Sequence, residues 1–142
     1  MKTAVIFDMD GVIIDTEPLY TKAEIRLFRE YGVEIPEEDW FLFRGCAEQD
    51  FFNLSMQRYS ITENKDIFME KGRKYVREEF RKGLDFMPGF HDLISRINQN
   101  HETGLVTASP RHNVDWLCEL INLDTIFNHI ISGSESNLNK PH

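Results

Sequence analysis

Two aspartates that follow an apolar run are the residues of this sequence best suited to chemistry. The run Ala4–Phe7 ends at Asp8, and Asp10 follows two positions later with Gly11 behind it. Side chains two positions apart in an extended segment lie on the same face, so Asp8 and Asp10 can converge while Met9 points away. Two converging carboxylates are tolerated when they share a hard cation and one of them acts as an acid. The pattern predicts a catalytic or metal-binding pair, although Asp-x-Asp-Gly also occurs in plain turns and calcium loops.

An alternating series of strands and helices must position this pair. The β-favouring apolar run Ala4–Phe7 predicts a strand that is covered on both faces in a parallel sheet. Further strands are predicted at Thr103–Val106 and within "FNHIIS". Helices are predicted over residues 91–98 and 111–121, so the strands would be joined by right-handed crossovers.

The stretch between the first and second predicted strands has a helical pattern instead. Leu19, Ala23 and Leu27 recur every four positions, and a second helical part covers residues 63–82. We interpret residues 16–83 as a helical cap inserted into an α/β core formed by residues 1–15 and 84–142. Ligands of open α/β sheets bind beyond the carboxyl ends of the strands, which directs attention to Thr107 and to the segment ending in Lys140.

Charge and composition exclude several classes of partner. The 142 residues include 24 acidic and 16 basic side chains, with a net charge of −8 at pH 7. This charge disfavours nucleic acid or an anionic membrane as the main partner, and an anionic substrate would need a local cation. Cys46 and Cys118 lack metal-type spacing, and no apolar run approaches the ~20 residues of a membrane span. We expect a reduced, cytoplasmic protein.

Several motifs together resemble one known family. "VIFDMDGVIIDTEP" resembles the first motif of the haloacid dehalogenase-like (HAD) superfamily, in its capped β-phosphoglucomutase-like phosphatase subfamily. "LVTASP" resembles the second motif, and "NKPH" resembles the start of the third. The resemblance implies an α/β fold with a Rossmann-like parallel sheet core and an inserted helical cap. It also implies that the core is incomplete at the C-terminus, since the acidic fourth motif of the family does not follow Lys140.

The resemblance assigns roles to residues of the core. Asp8 is similar to the nucleophile that forms an aspartyl-phosphate, and Asp10 to the acid and base that serves the leaving alcohol and then water. Thr107, the backbone N–H near Ala108, and Lys140 are similar to the phosphate-binding groups. The implied cofactor is Mg²⁺, held by Asp8 and by the backbone carbonyl of Asp10.

The resemblance also points to residues that contact the rest of the substrate. Arg44 and Gly45 lie in a stretch similar to the substrate-specificity loop of the cap, and Arg111 is placed to touch the leaving group. Arg44 is also readily interpreted as a solvated surface arginine. Tyr20 stands where β-phosphoglucomutases carry a histidine, which favours a phosphatase over a mutase.

Other residues have simpler structural interpretations. Ser109 precedes Pro110 and is a candidate N-cap for the helix that follows. Cys46 is interpreted as a buried small residue. The aromatic stretches "DWFLFRG" and "DFFNL" are interpreted as the core of the cap.

We therefore expect a Mg²⁺-dependent phosphoric monoester hydrolase that acts on a small phosphorylated metabolite, such as a sugar phosphate. A sugar-phosphate mutase that uses the same aspartyl-phosphate, and an inactive fragment or non-catalytic binding module, remain as alternatives. If the chain does end at His142, the resemblance leaves the first strand with an unpaired edge, and we expect self-association through it.

Overall fold

A three-stranded parallel sheet forms the centre of the computed structural model, which describes residues 3–135. The strands β1 (Ala4–Phe7), β2 (Glu102–Val106) and β3 (His129–Ile131) lie in the order β1-β2-β3. The helices are α1 (Glu17–Glu30), α2 (Trp40–Phe43), α3 (Glu48–Arg58), α4 (Lys65–Gly83), α5 (Phe90–Ile97), α6 (Arg111–Ile121) and α7 (Leu123–Ile126). None of the helices over residues 3–135 is long and apolar enough to cross a membrane.

The register of the sheet brings the ends of the three strands to one edge. Phe7 lies opposite Leu105, and Val106 lies opposite Ile131. Because all three strands run in the same direction, the residues that follow them emerge side by side. This places Asp8, Thr107 and Ser132 at the same edge of the sheet.

One face of the sheet is buried and the other is open in the described part of the chain. Leu105 and Thr103 on β2 are 0% and 1% exposed, and the Phe7 ring packs against Phe90, with ring centroids 6.1 Å apart. On the opposite face Ile6 is 69% exposed and Ile131 is 46% exposed.

The hand of the connections explains this one-sided burial. Consecutive right-handed crossovers from β1 to β2 and from β2 to β3 advance in one direction, so α5 and α6 fall on the same face. The prediction that the first strand is covered on both faces is therefore wrong for the described residues.

The predicted elements of the sheet and its crossovers are otherwise confirmed. β1 and α6 have the predicted bounds, and β2 begins one residue earlier than predicted, at Glu102. The short helix α7 and the eleven-residue helix α3 were not predicted.

The chain divides into two compact units. A sheet unit comprises the residues up to Thr16 and those from Leu84 onward, and a helical unit comprises Glu17–Gly83. The helical unit has its own aromatic core, in which Phe28 and Phe68 are both 0% exposed. Its buried members are Leu27, Phe28, Phe43, Phe51, Phe52, Ile61, Phe68 and Met69.

The aromatic stretches of the helical unit supply much of this core, as predicted, with one exception. Phe43, Phe51 and Phe52 are buried, whereas Phe41 is 71% exposed. Cys46 is also exposed, so its interpretation as a buried residue is wrong. Its thiol donates to the backbone oxygen of Leu42, at 3.3 Å.

Candidate active site

A tight turn after β1 presents the two aspartates. Gly11 has φ +71°, a conformation that L side chains rarely adopt, and its N–H donates to the Ile14 oxygen at 2.8 Å. The Ile13 N–H donates to the Met9 oxygen at 3.0 Å, which closes the turn. Met9, predicted to point away from the two aspartates, is 0% exposed and part of the core.

Asp10 is held by two hydroxyl groups, one on each carboxylate oxygen. Thr16 donates from Oγ1 to Oδ1 at 2.9 Å, and Ser109 donates from Oγ to Oδ2 at 3.1 Å. Burial raises the pKa of Asp10, the two hydroxyl hydrogen bonds lower it, and the nearby charge of Asp8 raises it further. The orientation of the Asp10 carboxyl is therefore set from two sides.

The loop after β2 lies beside this turn and carries the predicted phosphate-binding residues. Thr107 is 3% exposed, and its backbone N–H donates to the Ile131 oxygen at 3.0 Å. Its Oγ1 accepts the Ser109 N–H at 3.0 Å, which leaves the hydroxyl hydrogen of Thr107 for another acceptor. Ala108 is exposed at the tip of the loop.

Ser109 does not have the capping role expected from the sequence. The N-cap of α6 is Pro110, and Ser109 makes no capping hydrogen bond to the helix. The Ser109 hydroxyl reaches Asp10 instead, across 99 positions of sequence. Sequence reasoning missed this contact, and it missed the bond from Thr16, because nothing local in either stretch reveals it.

The remaining predicted site residues have other partners or lie elsewhere. In the helical unit, the Arg44 guanidinium pairs with Glu17 at 3.3 Å and lies 5.2 Å from the Phe41 ring centroid. Gly45 has φ +74° with open space around it. The roles of Arg44 and Gly45 toward a substrate stay predictions.

The last two predicted site residues are Arg111 and Lys140. Arg111 begins α6 and forms ion pairs with Glu135 and, at 3.7 Å, with Asp115, so contact with a substrate would require it to exchange partners. Its role toward the leaving group also stays a prediction. Lys140 lies outside the described residues.

Asp8 and Asp10 supply a partial set of ligands for a metal ion. Asp8 is exposed, and its negative charge contributes to raising the pKa of Asp10. Within residues 3–135 there is no group of three or more acidic, histidine or cysteine side chains that could hold a metal. The Asp8 carboxylate and the backbone carbonyl of Asp10 are hard oxygen donors that would suit Mg²⁺, which uses few protein oxygens and keeps water and substrate oxygens as ligands.

A parallel α/β sheet that presents an aspartate pair beside a Thr-Ala-Ser loop defines the class of site found in one family of hydrolases. Residues 5–142 match the sequence profile of the haloacid dehalogenase-like hydrolase family, and the chain belongs to that family.

Individual relatives carry several different activities in their names. The chain is 27% identical over 139 residues to the phosphorylated carbohydrates phosphatase of Thermotoga maritima, a match that covers 97% of this chain and 64% of that protein. It is 29% identical over 140 residues to the pyrophosphatase PpaX of Oceanobacillus iheyensis, covering 97% and 63%. The chain thus spans less than two thirds of the length of these relatives.

A solved structure supports the fold assignment. A Thermotoga maritima protein described provisionally as a beta-phosphoglucomutase superposes with a TM-score of 0.82 at 26% identity. The superposition covers 98% of this chain and 65% of that protein. The α/β fold with a helical cap, predicted from the resemblance, is confirmed.

Proposed function

We propose that the protein is a Mg²⁺-dependent phosphoric monoester hydrolase that acts on a small phosphorylated metabolite through an aspartyl-phosphate at Asp8. The observation that carries this proposal is the hydrogen bond between Ser109 and Asp10, which joins the loops after β1 and β2. It supports the proposal because the loop that it joins to the aspartate pair also carries the Thr107 hydroxyl, at the same edge of the sheet. The cysteine spacing supports a reduced, cytoplasmic setting.

In the first step, a carboxylate oxygen of Asp8 attacks the phosphorus atom of the substrate. The bond between phosphorus and the leaving oxygen breaks, and Asp10 gives its proton to that oxygen, so that a neutral alcohol departs. Asp8 is exposed and so can reach a substrate, whereas Asp10 is partly buried and held in a fixed orientation.

In the second step, Asp10 is a carboxylate and removes a proton from water. The water oxygen attacks phosphorus, the bond to Asp8 breaks, and inorganic phosphate and the Asp8 carboxylate are released. Asp10 ends this step protonated, ready for another substrate. A hydroxyl group can donate to a carboxylate or accept from a carboxylic acid, so Thr16 and Ser109 can hold Asp10 in both of its states.

The phosphoryl oxygens need hydrogen-bond donors and positive charges around them during both steps. Thr107 would donate its hydroxyl hydrogen to a phosphoryl oxygen, the Ala108 N–H would assist, and Lys140 would add a fixed charge. A Mg²⁺ ion held by Asp8 and Asp10 would offset the negative charge that surrounds the phosphoryl group when it is bound.

A sugar-phosphate mutase is the second candidate, favoured by the superposition on the structure described as a beta-phosphoglucomutase. A mutase would pass the phosphoryl group from Asp8 to a second hydroxyl of a sugar instead of to water. Tyr20 opposes this alternative, because its ring packs against Phe80 with centroids 5.1 Å apart and has no imidazole to exchange protons.

A panel of phosphorylated metabolites tests the proposal. The product of the complete natural gene should release inorganic phosphate from a subset of sugar and polyol phosphates when Mg²⁺ is present, and chelation of the metal should stop turnover. Formation of an isomer without phosphate release would support the mutase. Absence of both activities in a folded protein would indicate a binding module and overturn the proposal.

Asp8→Asn is the matching variant, and it should abolish turnover without unfolding the protein, because an amide is isosteric but cannot form the acyl-phosphate. Asp92→Asn, at an exposed carboxyl on α5, makes the same chemical change away from the site and should keep wild-type turnover. Wild-type turnover in Asp8→Asn would remove Asp8 as the nucleophile.

A further inference from the structure

The turn after β3 is packed directly against the loop that carries Ser109. The Gly133 N–H donates to the Ser109 carbonyl oxygen at 2.9 Å. A Cβ atom at position 133 would overlap the carbonyl oxygen of Ala108 and lie 2.8 Å from its carbonyl carbon. Gly133 is therefore required because two backbone segments touch there, and no side chain would fit between them.

Two further contacts connect the same two segments, and a third lies within the turn after β3. The Arg111 N–H donates to Ser134 Oγ at 2.9 Å, and the Arg111 guanidinium pairs with Glu135. The carboxylate of Glu135 also accepts the Ser132 hydroxyl at 2.9 Å, which tightens the turn. Residues 132–135 thus form a brace that holds the loop from Thr107 to Arg111 at Ser109 and at Arg111.

The brace determines where the Ser109 hydroxyl lies. The Ser109 carbonyl is fixed by Gly133, and its N–H is fixed by Thr107 Oγ1 at 3.0 Å, so little freedom remains except rotation about the side-chain bond. The hydroxyl then meets Asp10 Oδ2 at 3.1 Å. Both backbone polar groups of Ser109 form hydrogen bonds within the sheet unit. The position of its hydroxyl beside Asp10 therefore follows from the structure of the loop.

We propose that Ser109 is a positioning residue for Asp10, and that the brace of residues 132–135 sets its position through Gly133. The inference rests on the proposed function. In that function Asp10 protonates the leaving oxygen of the substrate as an acid and takes a proton from the attacking water as a base. Thr16 fixes one oxygen of Asp10, but a carboxyl held at one oxygen still rotates. The bond from Ser109 to the second oxygen restricts that rotation.

The expected effect is concentrated in the step that needs an acid. A displacement of about 1 Å of a catalytic group costs up to ~100-fold in rate. Ser109→Ala should therefore lower kcat/KM about 10- to 100-fold for an alkyl phosphate such as a polyol phosphate, whose leaving group must be protonated. It should change kcat/KM for p-nitrophenyl phosphate by no more than about 3-fold, since that leaving group departs without an acid.

Two further variants separate positioning from a general structural effect. Ser109→Thr keeps the hydroxyl and should retain most of the activity on the alkyl phosphate. Ser109→Ala added to Asp10→Asn should cause no further loss, because a residue that acts through Asp10 has nothing left to position. Ser95→Ala, which removes an exposed hydroxyl bonded to the Asp92 carbonyl on α5, is the matched control and should match wild type.

Gly133→Ala tests the brace itself. The added methyl group should push the loop at Ala108 away, lengthen the distance from Ser109 Oγ to Asp10 beyond a hydrogen bond in a crystal structure, and reproduce the substrate-dependent loss. If this variant fails to fold, Ser109→Ala and the double variant still decide the role of Ser109.

Several outcomes would overturn the inference without touching the proposed function. These are equal losses on both substrates, an additive loss in the double variant, or a Ser109→Ala crystal structure in which Asp10 keeps its orientation. If the wild-type protein turns over neither substrate, the proposed function fails instead. The orientation of Asp10 in the Ser109→Ala crystal structure then decides the positioning claim by itself.

Discussion

Glu24 on α1 is an acidic side chain that the helical unit makes costly to ionise. Its carboxyl is partly buried, and burial alone raises its pKa from 4.5 to about 7. Replacing it by glutamine keeps the shape of the side chain and removes the charge. We expect Glu24→Gln to be more stable than wild type at alkaline pH.

The sign and size of the effect follow from linkage between protonation and folding. Between pH 4.5 and about 7 the folded chain binds more protons at Glu24 than the unfolded chain does, so the free energy of unfolding decreases as pH rises. Each pH unit between the two pKa values corresponds to ~1.36 kcal/mol, which gives an upper limit of about 3 kcal/mol. Partial exposure of the side chain lowers the measured value below that limit.

Urea unfolding followed by far-ultraviolet circular dichroism, at a series of pH values from about 4 to 8, measures this difference. The unfolding free energies of wild type and Glu24→Gln should agree at the acidic end and diverge as pH rises. Glu34→Gln, at an exposed position between α1 and α2, is the control and should follow wild type throughout. Parallel curves for wild type and Glu24→Gln, or a less stable variant near pH 8, would refute the reasoning.

Two other variants probe the acid in the site and the packing of the helical unit. Asp10→Asn should lose far more kcat/KM with a polyol phosphate than with p-nitrophenyl phosphate, and equal losses in steady-state assays would count against Asp10 as the acid. Gly72→Ala would place a methyl group 2.8 Å from the Phe52 ring, so overpacking of about 1–3 kcal/mol should exceed the gain in helix propensity of about 1 kcal/mol. Gly83→Ala, at the open end of α4, has no such contact and should not lower the urea midpoint.

The elements that could be predicted are those whose signal is local in the sequence. The apolar run that predicts β1 is the strand itself, and Pro110, which predicts the start of α6, lies directly before that helix. The helix α3 was missed because its aromatic pair, Phe51 and Phe52, indicates burial without indicating a helical period. Local patterns therefore identified which residues are buried better than they identified the element that buries them.

The candidate site shows the same limit more sharply. Asp8 and Asp10 were found because they are close in sequence and follow a strand. The Ser109 hydroxyl was assigned to a helix cap, since its contact with Asp10 spans 99 positions. The need for glycine at position 133 depends on a backbone that passes nearby in space, and no composition or spacing reports it.

The face of the three-stranded sheet that carries Ile6 and Ile131 matters for any molecule in which it stays uncovered, as it is within residues 3–135. Within the described residues Ile6 and Ile131 expose apolar surface, which favours association between molecules that leave this face uncovered. A net charge of −8 at pH 7 keeps separate molecules apart by repulsion, and acidification removes it as carboxylates bind protons. The same acidification protonates Glu24, whose charged form is costly in the folded chain, and so favours folding. For a molecule that leaves this face uncovered, conformational stability at Glu24 and resistance to association therefore have opposite pH preferences, and a concentrated sample of it is better kept alkaline.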